Sequence, residues 1–408
     1  MIRPLTRTAA ALAGAVLLLS ACDSGPGTAR PAPHPVFSEP LARQVHLALR
    51  HTQKAGGAEL RQTVTFTSGE DRAVQTLTGR LDFAGSRGSA TSRWHLTPDF
   101  PHAARETILG TPQGPGTGDA VGRYTVDTAA IHYRAGSAGY WLRYAGDVEP
   151  LWGIDSISHL RGTEGAIGGT LLEVLSGVRP AAQRAVPGGG RSYRADFPLT
   201  EALELFPYDL RGEFVPAPLY DHLPSAPVPL TVEVDHEGRI TRVRADLTVL
   251  LDKKAGGALA GVTALHADLV LGRFGAPEAG AVATPDGRVL DAASAVTPTD
   301  EARPGECMDL DTGMRYSGLV ARVPCAGPHD GRVLAQHPLT GSYPGVGEAR
   351  ERAGRACAGG TDRPRSGSHW YTWSSQGSWT ARGEGRATCY LVSTAGATPP
   401  ARTASAWS

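Results

Sequence analysis

Pro229-Leu230-Thr231-Val232-Glu233-Val234-Asp235 runs into His236-Glu237-Gly238, and Arg239-Ile240-Thr241-Arg242-Val243-Arg244-Ala245-Asp246-Leu247 runs back. Both arms alternate apolar and polar residues, the period of a strand with one buried side, and Asp-x-x-Gly supplies the turn. The stretch reads as a β-hairpin, and it sets the expectation for everything around it.

Outward from the hairpin the same period recurs. Glu59 to Thr67 places Leu60, Val64 and Phe66 on one side and Arg61, Thr63 and Thr65 on the other; Thr76 to Phe83 places Leu77, Leu81 and Phe83 together. Further strands are predicted at Ser89 to Leu96, Gly122 to Tyr133 and Tyr140 to Tyr144, and a last one at Val262 to Leu271. Helical spacing marks Leu41, Val45, Leu47 (or Ala48) and Leu49, stopped by Gly56-Gly57. Ile154 to Val178 is predicted helical on Ile157, Leu160, Leu171, Leu172 and Leu175, broken in two by Gly162, Gly165 and Gly168-Gly169. Pro187 to Gly190 reads as a loop, and Leu199 to Leu205 as a short helix with Thr200 as N-cap and Glu201 in its first turn. Strand follows strand with no βα alternation, so the fold class is α+β: an antiparallel sheet with inserted helices covering one face.

With 408 residues the chain holds more than one unit. Arg3 and Arg7, an apolar run from Ala9 to Leu19, and Ser20-Ala21 compose a secretory signal. The run is too short for a membrane span, which needs about 20 residues. Loss of Arg3 and Arg7 with the signal would leave 38 of the 40 basic side chains against 40 acidic ones. That balance argues against nucleic acid as a partner. Only Lys54, Lys253 and Lys254 represent lysine beside abundant Arg, Ala and Gly, the signature of a GC-rich genome and an actinobacterial source. Asp23 to about Phe37 is a Gly/Pro/Ala tether, and 278–304 is Ala/Pro/Gly/Thr-rich and reads as a linker with one short strand at Arg288-Val289-Leu290. The boundaries expected are a signal at 1–21, tether 22–37, central domain 38–277, linker 278–304, a small C-terminal domain 305–394 and a disordered tail 395–408.

Leu19-Ser20-Ala21-Cys22 resembles the bacterial lipobox. The resemblance implies that Cys22 becomes an acylated N-terminus, tethering the chain to the outer face of the cell membrane; the alternative is an ordinary signal with a chance cysteine. The order that follows it (tether, leading helix, long meander with inserted helices, closing strand into Phe274-Gly275-Ala276-Pro277) resembles the LppX and LprG group of lipoproteins. That resemblance implies a bent antiparallel half-barrel covered by helices, with acyl chains of a lipid or glycolipid held between sheet and helices. It rests on architecture and carries over no residue by position. Candidate lining residues are the large apolar side chains of the strands and the loop beyond: Phe66, Leu77, Leu81, Phe83, Trp94, Ile131, Tyr133, Trp141 and Trp152. For each one singly, plain core packing is the competing reading.

Besides Cys22, the cysteines Cys307, Cys325, Cys357 and Cys389 all fall in the last quarter of the chain. An even set in one segment of an exported chain reads as two disulfides, of which three pairings are open. A zinc site from Cys307, Cys325, Cys357 and His329 is the competing reading, which spacings lacking C-x-x-C fit poorly. Gly305-Glu306-Cys307-Met308-Asp309, Val323-Pro324-Cys325, Pro328-His329-Asp330, Tyr343-Pro344-Gly345 and Trp379-x-x-x-Gly383-x-x-Arg386-x-x-Cys389 resemble the septum formation domain. Arg332 departs from that pattern, where an acidic residue is usual. The resemblance attaches no chemistry and suggests contact with another envelope protein.

His329-Asp330 beside a cysteine invites a catalytic reading, but no Ser or Cys nucleophile carries a signature, and a hydrogen-bonding knot suits the pair better. The chain has no G-x-S-x-G, Walker A or dinucleotide fingerprint, and His236-Glu237 continues to Ile240 without a second His. Neither an enzyme nor a cofactor is expected. Two functions stand: a lipid-binding lipoprotein, or an envelope scaffold without a lipid, which predicts a filled core and an exposed aromatic patch from Trp370, Tyr371 and Trp373.

Overall fold

The computed structural model describes residues 33–109, 121–136, 138–145, 160–215, 226–251, 257–276, 282–313, 318–359 and 368–392. The residues read as signal, most of those read as tether, Cys22, Trp152 and 393–408 lie outside them.

Twelve strands make the first sheet: β1 (Gly57–Ser68), β2 (Asp71–Asp82), β3 (Arg87–Leu96), β4 (Val121–Val126), β5 (Ala130–Ala135), β6 (Tyr140–Ala145), β7 (Arg179–Ala185), β8 (Arg191–Pro198), β9 (Pro227–Val234), β10 (Ile240–Asp246), β11 (Ala264–Gly272) and β12 (Arg288–Asp291). Their order across the sheet is 12-6-5-4-3-2-1-11-10-9-8-7. Neighbours are antiparallel apart from β12 on β6, and the sheet does not close, leaving β12 and β7 as its edges. The hairpin is β9 and β10, with Val232 opposite Val243 and Leu230 opposite Ala245. Its turn is drawn in by Asp235, whose Oδ1 accepts from the amides of Glu237 (3.0 Å) and Arg239 (2.8 Å), and Gly238 supplies a φ of +77°.

One face is buried across its central strands. Leu60, Val64 and Phe66 of β1 lie in register with Leu271, Ala267 and Leu265 of β11, and the sheet's apolar positions continue through Val243, Val232 and Tyr193. Over this face lie α1 (Leu41–Lys54), α2 (His102–Leu109), α3 (Leu199–Leu203), α4 (Tyr208–Phe214) and the segment 160–178. Helix α1 buries Gln44, Val45, Ala48, Leu49 and Thr52, one helical stripe. Thr52 fixes its end to the sheet: its Oγ1 donates to the Ala48 carbonyl and accepts from the Ile240 amide, both at 2.8 Å. The opposite face is polar and laced by cross-strand ion pairs such as Arg242–Asp268 (Nε to Oδ1, 2.9 Å) and Arg244–Glu233 (3.1 Å).

The α+β class and the leading helix agree with the sequence reading; several details differ. Gly122 to Tyr133, read as one strand, is the hairpin β4–β5, because Asp127 Oδ1 accepts from the amides of Ala129 and Ala130 (2.8 Å each) and turns the chain. Residues 160–178, read as helical, hold only turns and one bridge between Arg161 and Ile167, with Gly169 and Ala166 at φ of +66° and +63°. The glycines prevent a helix there rather than dividing one. Pro187 to Gly190 is the turn of the unforeseen hairpin β7–β8; edge strand β7 buries one residue and therefore shows no alternation. Helix α3 starts after Pro198 with no side-chain cap, so Thr200 is not its N-cap. The end of the tether is part of the body, since Pro35–Ser38 forms a 3-10 turn with Val36 buried.

Residues 282–304 are not a free linker. β12 adds to the first sheet, α5 (Ala292–Ala295) follows, and β13 (Val296–Pro298) opens the second. That sheet holds β13, β14 (Cys307–Asp309), β15 (Leu319–Val323), β16 (Gly331–Leu339), β17 (Ser368–Trp373) and β18 (Gly385–Val392) in the order 13-15-14-16-18-17. Two helices, α6 (Val346–Ala358) and α7 (Gln376–Arg382), belong to it. The disulfides are Cys307–Cys325 and Cys357–Cys389, the second tying α6 to β18. Trp379 is fully buried, its indole N–H donates to the Gly341 carbonyl (2.8 Å), and Gly385 leaves room for its ring. Trp370 is also buried and Tyr371 and Trp373 are half-buried, so these three form no exposed aromatic patch.

Candidate functional site: a pocket on the covered face

Among the described residues the covered face has a gap. Leu77 and Gln75 of β2 and Tyr124 of β4 point to it yet stay half-exposed, between the 160–169 segment, the residues from Leu205 to Leu210 and Gly313, which follows β14 of the second sheet. The cavity beneath encloses about 50 Å³. Phe66 and Trp94 form its floor with ring centroids 6.2 Å apart, and Phe206 closes one side edge-on to Phe66 at 6.3 Å. No charged side chain lines it among the described residues. Beside the Tyr124 hydroxyl and the Trp94 indole it has two amide side chains: Gln75 Nε2 donates to Ser92 Oγ (2.9 Å), while Gln62 donates to the Gly169 carbonyl and accepts from the Leu171 amide, both at 2.8 Å.

Gln62 thus holds the 160–178 segment onto the sheet through both ends of one buried amide. Gln62→Leu would strand the Leu171 amide and the Gly169 carbonyl, each costing about 1–3 kcal/mol when buried and unpaired. The expected result is a stability loss of about 2–3 kcal/mol, with faster hydrogen exchange confined to peptides from 160–178. Unchanged exchange there would show that Gln62 is not what holds the segment.

Of the nine lining candidates, the structure brings Phe66, Leu77 and Trp94 to the cavity. Leu81 is buried beside Gly165 and Leu172, and Phe83 packs at the core's edge. Ile131 and Tyr133 are on the covered face of β5 beyond the cavity's lining, the Tyr133 ring 5.2 Å from that of Tyr124. Trp141 faces the other way: it is buried, but its indole donates to Asp286, and the Arg134 guanidinium lies 5.9 Å from its ring centre. The signal was in Tyr140-Trp141-Leu142-Arg143-Tyr144, where alternation puts Trp141 with charged Arg143 and turns the two tyrosines inward.

Those tyrosines and Tyr133 carry contacts that the sequence reading missed. The Tyr133 hydroxyl donates to Asp311 Oδ2 (2.7 Å), that of Tyr140 to Asp309 Oδ2 (2.5 Å), and that of Tyr144 to the Thr312 carbonyl. All three rings are buried, and burial pushes the Tyr140 and Tyr144 hydroxyls well above the usual phenol range. The Tyr133 ring leans across Gly122, where a Cβ would lie 2.8 Å from it, and Gly313 sits on its other side at a φ of +78°.

His329 and Asp330 belong to the same junction in a structural role. His329 Nδ1 lies 2.8 Å from the Gly327 carbonyl, and Asp330 Oδ2 accepts from the Leu310 amide (2.9 Å). Burial, then the neighbouring Asp309 carboxylate, pushes Asp330 up to about 6, and burial also raises Asp309. A carboxyl whose folded value exceeds its unfolded one holds a proton in the folded state between about pH 4 and 6, so stability falls as pH rises through that window. The C-terminal domain is expected to melt at a higher temperature at pH 5 than at pH 7.5, and Asp330→Asn to flatten that difference. A steeper pH dependence in Asp330→Asn would contradict the assignment.

No family model matches the chain, and no curated protein matches it. Among solved structures, lipoprotein LppX of Mycobacterium tuberculosis aligns with 57% of this chain and 96% of its own at 12% identity and a TM-score of 0.26. A DUF1329 family protein from Desulfovibrio piger aligns with 59% of this chain and 93% of its own (7% identity, TM-score 0.22). A putative outer membrane lipoprotein-sorting protein domain from Vibrio parahaemolyticus aligns with 58% and 97% (11% identity, TM-score 0.20). TM-scores this low decide neither fold nor function. No helix among the described residues is long and apolar enough to cross a membrane.

Proposed function

We propose that the chain is a lipoprotein held at the outer face of the cell membrane through acyl groups on Cys22, and that its covered-face pocket binds one acyl chain of a lipid or glycolipid. It does so as a half-barrel carrier, without a reaction. The observation that carries this reading is the gap itself: inward-facing Leu77 and Tyr124 left half-exposed over a floor of Phe66 and Trp94, with no charge among the lining residues. An apolar chain gains about 0.8 kcal/mol per buried methylene in such surroundings. At about 50 Å³ the pocket is well below the roughly 300 Å³ of small ligand sites, so entry requires the cover to move. The cover suits that requirement, because 160–178 is turns and α3 and α4 are two short helices. With two or three chains on Cys22 the anchor would be stable, so any hand-over would be short-range.

The same volume favours a second reading, an envelope scaffold with a filled core. Native mass spectrometry on the protein extracted from its own membrane, beside a Cys22→Ala form, separates the two. Lipid binding predicts a diacylglyceryl mass on Cys22, absent from Cys22→Ala, and a non-covalent acyl ligand in both. Ligand-free protein that also fails to take up a fluorescent fatty acid would leave the scaffold reading standing.

A further inference from the structure

The face of the first sheet opposite the pocket is polar, and over β1 to β5 its charge is mostly of one sign. Cross-strand register sets Arg61 of β1, Thr78 of β2, Thr91 of β3, Arg123 of β4 and Arg134 of β5 in one row. Arg93 stands two residues along β3 from Thr91, opposite Thr76. With strands about 4.8 Å apart, the Cα atoms of Arg61 and Arg123 lie about 14 Å from each other, and that of Arg93 about 8 Å from Arg123 on the diagonal. Arg61, Arg93 and Arg123 are exposed, and none has a hydrogen-bonded or ion-paired side-chain partner among the described residues. The nearby carboxylates are engaged elsewhere: Glu59 pairs with Arg80 and Arg273 (3.2 Å each), Asp82 with Arg87 (2.7 Å), and Asp286 with Arg134 (3.3 Å), although the charge of Asp286 also reaches Arg123. On β9 to β11 the same face is balanced, since Arg242 and Arg244 pair with Asp268 and Glu233. A chain of zero formal charge thus carries a local cationic patch.

Guanidinium groups grip phosphate oxygens through paired N–H donors. Spread this far apart, the three free arginines cannot converge on one small anion, but each can meet a separate phosphate of an extended surface. Val270 of β11, opposite Arg61 and 41% exposed, sets an apolar side chain beside them, which suits a lipid headgroup layer better than a water-soluble polyanion. We propose that Arg61, Arg93 and Arg123 form a docking surface for the anionic phospholipid headgroups of the membrane. The pull is a second attachment beside the acyl anchor, and it turns this face of the sheet toward the bilayer. The choice of a membrane rests on the Cys22 anchor proposed above and is independent of the acyl pocket.

The test floats the full extracytoplasmic chain carrying Cys22→Ala with vesicles containing phosphatidylglycerol, and with phosphatidylcholine vesicles as the reference. Binding is expected to the first and not the second, and to be lost at about 1 M salt, where charges are screened beyond about 3 Å. Arg61→Gln, Arg93→Gln and Arg123→Gln are each expected to weaken it about fivefold, and the triple variant about a hundredfold. Arg179, Arg184 and Arg194 of β7 and β8 are also exposed, so their replacement by Gln removes equal charge from another part of the sheet and is expected to leave most of the binding. Equal loss in both triple variants would reduce the effect to net charge and overturn the docking surface. So would a parent chain that binds soluble polyphosphate but not the vesicles. A diacylglyceryl mass on Cys22 of the native protein, with no vesicle binding by the Cys22→Ala chain, would remove the docking surface alone; vesicle binding without that mass would uphold it and remove the anchor.

Discussion

Replacing Cys357 and Cys389 together by serine is expected to lower the stability of the C-terminal domain by about 4 kcal/mol, and Cys307 with Cys325 by about 3 kcal/mol. The difference follows from sequence separations of 32 and 18, because the longer loop loses more freedom when closed in the unfolded chain. The site makes the loss severe. Cys357–Cys389 clips α6 to β18 over a core whose buried apolar members are Leu339, Ala349, Ala353, Trp379 and Ala387. So small a core leaves little margin, given that whole domains are stable by only about 5–15 kcal/mol. Denaturant unfolding under non-reducing conditions should show an early transition in the Cys357/Cys389 double mutant, with exposure of Trp379, while the twelve-stranded sheet unfolds later. A single unshifted transition would mean that packing alone holds α6.

Phe66→Ala carries the largest single-residue effect expected in the central domain, about 3–5 kcal/mol. Phe66 is fully buried, stands in register with Leu265, and touches Trp94 and Phe206. Removing the ring leaves Trp94 as what remains of the pocket's floor and opens a cavity that neighbouring strands, fixed by their ladders, fill only in part. Two measurements follow. Chemical denaturation should show the loss in the first sheet, and fatty-acid uptake should become faster or admit a bulkier chain. A cost below about 1 kcal/mol would mean that the floor is loosely packed already.

The two results separate the two sheets: the disulfides decide whether the second sheet keeps its helices in place, whereas Phe66 sets the size of the covered-face pocket.

Features that depend on local period and chain chemistry are legible along the chain. Alternation in Glu59 to Thr67 and in the Asp235–Gly238 hairpin marked strands with one buried side, because a strand places successive side chains on opposite faces. Four cysteines in the last quarter marked a disulfide-dependent domain, although only the folded chain chose among three pairings. Where local signal was weak the reading failed for physical reasons. Edge strand β7 buries too little to alternate, and the glycines of 160–178 erased a helix that spaced leucines had suggested. The pocket and its contacts, in contrast, arise from residues far apart in the chain. Gln62 is a polar residue in an apolar strand row, and its use became visible once Gly169 and Leu171 came within 2.8 Å of its amide. Tyr133, Tyr140 and Tyr144 meet Asp311, Asp309 and Thr312 across nearly 170 positions or more of chain, and no local pattern encodes a contact at that distance. Such contacts exist because a small disulfide-bound sheet is set against a large one, and the burial of three phenols at the seam requires an acceptor for each hydroxyl.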